Sequence, residues 1–183
     1  SGTKDMITIG REGDGASMEV RPQKNFERLV SGLQAGIVRE SGEVKIRDLG
    51  SLNGTFIDGR RIKPGESVSL KGGVIVGFGI DPSADTNLGY LKVVQTSNGS
   101  MYLVSTAGTA KRIKSSDGLF GRLIAPITDR FGRYPDEVKV AIKEGKDSGG
   151  VFKLKPKEAA ESVSKAPPPA APDPLRRRRP PSP

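Results

Sequence analysis

The chain has 183 residues, with 30 Lys and Arg against 21 Asp and Glu, and contains no His, Cys or Trp. Those absences exclude Ser-His-Asp and Cys-His catalysis, zinc sites built from nitrogen or sulfur ligands, disulfides and redox thiols, leaving carboxylate, Lys, Ser/Lys or oxygen-ligated hard-metal chemistry. A hydrophobic fraction of 34% is low for a fully packed chain, no run of 18 apolar residues spans a bilayer, and the length fits one ordinary domain with tails or two small ones.

From the N-terminus the pattern is of short apolar runs of period two, separated at close intervals by Gly, Asn and Asp, which is the punctuation of an all-β fold. The predicted strands are Met6–Arg11, Met18–Arg21, Gly36–Arg39, Glu43–Arg47, Thr55–Ile57, Ser67–Leu70, Val74–Phe78 and Leu88–Gln95. Val44 and Ile46 alternate with Lys45 and Arg47, as a half-buried strand requires. Asp58-Gly59, between Phe56-Ile57 and Arg60-Arg61-Ile62, marks a two-residue hairpin. A single helical turn is expected around Asn25–Val30. Eight or more short strands in about 90 residues without a long helix predict a β-sandwich of antiparallel strands over residues 1–94, and no fixed-period repeat suggests a solenoid or propeller.

Residues 95–155 alternate more weakly. Met101–Ser105, Ala110–Lys114, Val138–Ile142 and Val151–Lys155 read as strands and Leu119–Ile127 as a buried connection, together a β-rich extension that packs on the sandwich or on a partner. Nine of the 14 prolines fall between Pro156 and Pro183, so residues 156–183 are expected to form a disordered tail with polyproline II character, holding at most a short helix at Glu158–Lys165 and ending in Arg176, Arg177, Arg178 and Arg179. Charge follows the same division: residues 1–94 carry 13 Lys and Arg against 12 Asp and Glu, and residues 95–183 carry 17 against 9. The basic half suits either a solvated surface with a solubilising tail or contact with nucleic acid, a headgroup layer or an acidic protein.

Gly10-Arg11 at the end of the first strand, Ser31 about twenty residues on, and the block from Asp48 through Gly50-Ser51-Leu52-Asn53-Gly54-Thr55-Phe56-Ile57-Asp58-Gly59, closed by Phe78-Gly79, form an ordered set. It resembles the forkhead-associated (FHA) domain over roughly Ile7 to Val94. The resemblance implies a non-catalytic module that binds phosphothreonine peptides with loops at one end of a β-sandwich, needing no cofactor or metal. A phosphate of about −1.5 to −2 charge with three acceptor oxygens calls for a guanidinium, short hydroxyl donors and backbone N–H groups. By the resemblance, Arg11 contacts the phosphate, Ser31 donates its hydroxyl, the Leu52 backbone approaches the peptide, Asn53 hydrogen-bonds the ligand main chain, Gly54 permits the tight turn and Thr55 braces the loop. Read without the resemblance, Asn53-Gly54 and Asp58-Gly59 are turn formers of any β-protein and Arg11 is a solvated strand end.

Where the family has Ser-Arg-x-His, this chain has Ser31-Gly32-Leu33-Gln34. Gln34 offers a donor and an acceptor in place of the family's loop-tying His. Gly32 removes a polar or cationic side chain beside the phosphate, a loss for which Lys24 or Arg28 are candidate replacements. A single charge-assisted contact contributes about 1.5–3 kcal/mol, so its loss weakens binding by roughly ten- to a hundredfold.

Other motifs compete. Lys111-Arg112-Ile113-Lys114-Ser115-Ser116 reads as exposed strand decoration or a basophilic phosphorylation context. Arg122, Arg130 and Arg133 near Phe120, Phe131 and Tyr134 read as solvated arginines over packed aromatics or as a nucleic-acid surface. Asp14, Asp48, Asp58 and Asp81 are all turn-placed with no matching base, which argues against an enzyme. The leading reading is an FHA-like interaction module and scaffold whose protein partner is threonine-phosphorylated. The alternatives are a structural or anchoring subunit of a large complex that docks without phosphate, and binding of nucleic acid or another polyanion through the basic half. The start at Ser1 reads as a processed or trimmed chain, and the arginine run as an import signal, so both an organelle interior and the nucleus stay open as intracellular compartments.

Overall fold

The computed structural model describes residues 6–20, 27–84, 88–106, 110–113, 124–127, 134–144 and 150–154. The expectations for residues 156–183, Arg176–Arg179 among them, lie outside this set, as do those for Lys24, Lys114–Ser116, Phe120, Arg122, Arg130, Phe131 and Arg133. The described strands form two sheets. The first takes β1 (Ile7–Arg11), β2 (Met18–Val20), β3 (Ala35–Glu40), β4 (Glu43–Asp48), β7 (Ser67–Ser69) and β11 (Ala110–Ile113), in the order β11-β2-β1-β3-β4-β7. The second takes β5 (Thr55–Ile57), β6 (Arg60–Arg61), β8 (Ile75–Phe78), β9 (Leu91–Gln95), β10 (Met101–Ser105), β12 (Ile124–Ile127) and β13 (Gly150–Leu154), in the order β12-β13-β10-β9-β8-β5-β6. Neighbouring pairs are antiparallel apart from β1 and β2, which run parallel after the six-residue return 12–17.

The period-two pattern places the core between these layers. Ile7, Ile9, Met18, Ile37 and Ile46 of the first sheet are buried in one cluster with Val76, Phe78, Leu91, Val93, Leu103, Phe152 and Leu154 of the second. Each such side chain contributes roughly 1.5–3 kcal/mol by leaving water. Val44 and Ile46 are buried while Lys45 and Arg47 are half-buried on the other face of β4, as the alternation requires. The Asp58-Gly59 turn has positive φ at both residues, 49° and 84°, the twist that suits a two-residue hairpin between β5 and β6.

One predicted strand is a helix. Val138–Ile142 lies within α1 (Asp136–Glu144), where Val138 and Ala141 are buried and Val140 is 54% exposed. Val138, Ala141 and Ile142 follow helical spacing and pack with Val94, Tyr102, Val104 and Val151, on a face of the second sheet turned away from the main cluster. Asp136 and Glu137 in the first turn and Lys143 in the last suit the helix dipole. Alternating apolar letters hid this, because Val138-Lys139-Val140 fits both periods. The connection predicted at Leu119–Ile127 is β12 over Ile124–Ile127, and Leu119–Leu123 fall outside the described residues.

Beyond the β5–β6 hairpin, Glu66 accepts from Arg60 Nη2 at 2.9 Å and from the Lys63 N–H at 2.8 Å. The Arg60 hydrogen bond, then the Lys63 N–H, hold the Glu66 carboxyl below the usual glutamate range. A carboxyl with a lowered folded-state pKa stabilises the fold above the ordinary glutamate range, and the contribution is lost as pH falls through the lowered value. NMR titration of Glu66 is expected to give a midpoint below that of free glutamate, and Arg60→Ala to raise it. A midpoint unchanged by Arg60→Ala would show that the pair does not hold in solution.

Candidate functional site

Strand register brings three separate loops to one end of the sandwich. Ala35, the first residue of β3, pairs with Ile9 on one side and with Asp48 on the other. The last residues of β1, the approach to β3 and the exit from β4 therefore lie at one level, and the loop after β4 crosses to the second sheet at Thr55, opposite Phe78. The predicted single turn is a 3-10 turn at Glu27–Leu29, with Arg28 exposed on it, and it delivers the chain to Val30 and Ser31.

Beneath the rim lies a buried polar network. Gln34, fully buried, accepts the Ser31 N–H through Oε1 at 2.9 Å and donates through Nε2 to the Gly54 carbonyl at 2.8 Å and to Thr55 Oγ1 at 3.0 Å. The Thr55 hydroxyl in turn donates to Asp48 Oδ1 at 2.7 Å. Asp48, 1% exposed, also accepts from Ser51 Oγ at 2.5 Å and from the N–H groups of Gly50 and Ser51 at 3.0 and 3.1 Å. Ser51 Oγ accepts the Gly54 N–H at 3.0 Å, which closes the loop on itself. Gln34 thus ties its own loop to the loop after β4 with both ends of its amide. Thr55 braces from inside, and Gly54 takes the left-handed conformation, φ 94°.

Above the network, the side chains expected to meet a ligand converge on residues 29–31. Arg11 donates its backbone N–H to the Ser31 carbonyl at 2.9 Å and Nη1 to the Val30 carbonyl at 3.4 Å. Asn53 donates Nδ2 to the Leu29 carbonyl at 3.1 Å. Ser31 Oγ accepts the Leu52 N–H at 3.0 Å, and the Leu52 side chain is 80% exposed. Arg61, from β6, donates Nη2 to the Leu52 carbonyl at 3.2 Å and covers Gly54, whose absent β-carbon would lie 2.3 Å from Arg61 Nε. Arg11 pairs with Asp14, its Nε and Nη2 reaching Oδ2 at 2.8 and 2.6 Å.

The family model of the FHA domain matches residues 7–79. Those residues form an FHA domain. An FHA domain is a non-catalytic protein–protein interaction module, typically one that binds phosphothreonine. The solution structure of the FHA domain of an Arabidopsis thaliana hypothetical protein is similar at 29% identity, covering 41% of this chain and 59% of that one, with a TM-score of 0.36. The FHA-2 domain of a Mycobacterium tuberculosis ABC transporter is similar at 26% identity, covering 55% of this chain and 73% of that one, with a TM-score of 0.34. The chain thus spans under two thirds of the first of these and somewhat more of the second. No curated protein matches the chain.

Arg11, Ser31, Gly32, Gln34, Leu52, Asn53, Gly54 and Thr55 all lie at this end of the FHA domain, while Arg176–Arg179 are outside the described residues. Three participants went unassigned in the sequence. Asp48 and Ser51 are the floor of the rim, and the Asp-x-Gly-Ser spacing is itself the signal, since an Asp side chain can accept the N–H groups two and three residues on. Arg61 brings a second guanidinium to the Leu52–Gly54 loop, and its place just beyond the Asp58-Gly59 turn was readable. Among the described residues no group of acidic side chains could hold a metal ion, and no helix is long and apolar enough to cross a membrane.

Proposed function

We propose that the chain is an interaction module that binds a phosphothreonine-containing segment of a partner protein at the rim formed by Arg11, Ser31 and Asn53. The observation that carries this is the state of Ser31: its oxygen accepts the Leu52 N–H at 3.0 Å, which fixes the side chain at the rim, while its proton has no acceptor among the described residues and is available to a ligand. Asn53 is held through Nδ2 and keeps Oδ1 for a peptide N–H. Arg11 supplies the guanidinium and Arg61 a second cation nearby, which a phosphate dianion needs and a threonine hydroxyl does not.

The test uses the full chain and two fluorescent degenerate peptide libraries, one fixed at phosphothreonine and one at threonine. Wild type is expected to bind the phosphorylated library, with Ser31→Ala weakening it by about tenfold or more, the size of one charge-assisted hydrogen bond, and Asn53→Ala by about fivefold, the size of a neutral one. Equal retention of both libraries would overturn the reading. Docking without phosphate, as an anchoring subunit, has two observations in its favour: Asp14 already pairs with Arg11, and Leu33 and Leu52 are exposed for apolar contact.

A further inference from the structure

We infer that Asp14 is a built-in competitor for the phosphate, a carboxylate latch that occupies the guanidinium of Arg11 until a ligand of higher charge displaces it. This rests on the phosphothreonine reading above and states how that site is regulated. The Arg11 fork closes on a single Asp14 oxygen through two nitrogens, at 2.8 and 2.6 Å, which occupies the Nε/Nη2 edge that a phosphate would take in a bidentate pair. With Nη1 turned to the Val30 carbonyl, the inner edges of Arg11 are committed.

The place that Asp14 occupies is the one vacated at position 32. A β-carbon built on Gly32 would lie 3.0 Å from Asp14 Oδ2 and 3.4 Å from Asp14 Cβ. Gly32 therefore makes room for the latch, and the departure from the Ser-Arg-x-His pattern and the Arg11–Asp14 pair are one feature. The carboxylate is delivered by the backbone: the Asp14 N–H bonds to the Arg11 carbonyl at 3.0 Å, and the neighbouring Gly13 N–H is held by the buried Glu19 carboxylate at 2.5 Å. A side chain on a fixed turn loses little freedom in pairing, so the latch re-forms whenever the site empties.

Both partners of the pair are 39% exposed, and pairs this open are weak. A dianion with three acceptor oxygens displaces the carboxylate, whereas a peptide Asp or Glu, no better an acceptor than Asp14 itself, does not. The latch thus sets a charge threshold: it weakens every ligand and rejects carboxylate mimics of phosphothreonine.

The test repeats the library measurement with Asp14→Asn, adding a third library in which Glu replaces phosphothreonine, and with Asp14→Ala to separate charge from turn geometry. Both variants are expected to bind the phosphothreonine library about two- to fivefold more tightly than wild type, the order of one exposed charge contact, and to gain measurable binding of the Glu library. A merely structural role for Asp14 predicts unchanged or weaker binding. Equal phosphothreonine affinity in wild type and both variants would overturn the latch and leave the phosphothreonine reading intact. Absence of phosphothreonine binding by wild type and by both variants would overturn that reading, and the latch with it.

Discussion

Replacing Asp48 with alanine is expected to destabilise the protein by about 3–5 kcal/mol, because it leaves several buried donors without an acceptor at once. The two oxygens of Asp48 take four hydrogen bonds, from Gly50, Ser51 twice and Thr55, at a position 1% exposed. Each buried donor left unpaired costs about 1–3 kcal/mol, and water cannot replace the carboxylate without opening the loop. The conservative Asp48→Asn is expected to be nearly as damaging, since its NH2 group would face donors on one side. Asp81 provides the contrast: among the described residues its half-buried carboxylate accepts one bond, from the Ser83 N–H, so Asp81→Ala should cost no more than about 1.5 kcal/mol. Urea unfolding of the full chain measures all three. An Asp48→Asn protein with wild-type stability would show that the network is not what fixes the loop.

Asp48 also marks where sequence reasoning stopped. The order of the Gly10-Arg11, Ser31 and Asn53-Gly54-Thr55 signals was sufficient to bring the three loops together, because β-register converts chain order into position: once Ala35 pairs with both Ile9 and Asp48, the loops have one place to go. Alternation was equally reliable where one face meets the core, as on β4. It misled at Val138–Ile142, where three apolar residues at alternate positions matched a strand and only burial distinguishes Val140, which faces water, from Ala141, which does not. The Arg11–Asp14 pair was not legible for another reason. Only two residues separate the partners, but whether they meet depends on the return of the chain through 12–17 to run parallel beside β1, and alternation carries no sign of strand direction. Gly32 read as the loss of a contact; only the space next to it shows that another side chain fills the gap.

Gly10→Ala is expected to weaken phosphothreonine-library binding by more than tenfold and to lower stability by about 3 kcal/mol, at the upper end of what overpacking costs. A β-carbon at position 10 would lie 1.9 Å from the Gly32 carbonyl oxygen and 2.8 Å from its carbon, so backbone rather than a flexible side chain would have to move. That backbone cannot retreat freely. On one side of the contact the Arg11 N–H holds the Ser31 carbonyl at 2.9 Å, and on the other the Gln34 N–H holds the Ile9 carbonyl at 2.8 Å. Accommodating one methyl means breaking at least one of these clamps, and the first carries Ser31 away from Arg11. The opposite side of the loop is equally tight, since a β-carbon at Gly79 would lie 2.2 Å from the Leu29 carbonyl oxygen, the neighbour of the one that Arg11 reaches at Val30. Residues 29–32 are thus threaded between glycines of the two sheets, and the glycine of Gly10-Arg11 is the spacer that lets the arginine lie against the serine. Backbone amide spectra of Gly10→Ala should show the largest shifts at Ser31, Gly32 and Gln34, with phosphothreonine-library binding reduced by more than tenfold. Wild-type affinity in a folded Gly10→Ala protein would mean that the rim does not depend on this approach.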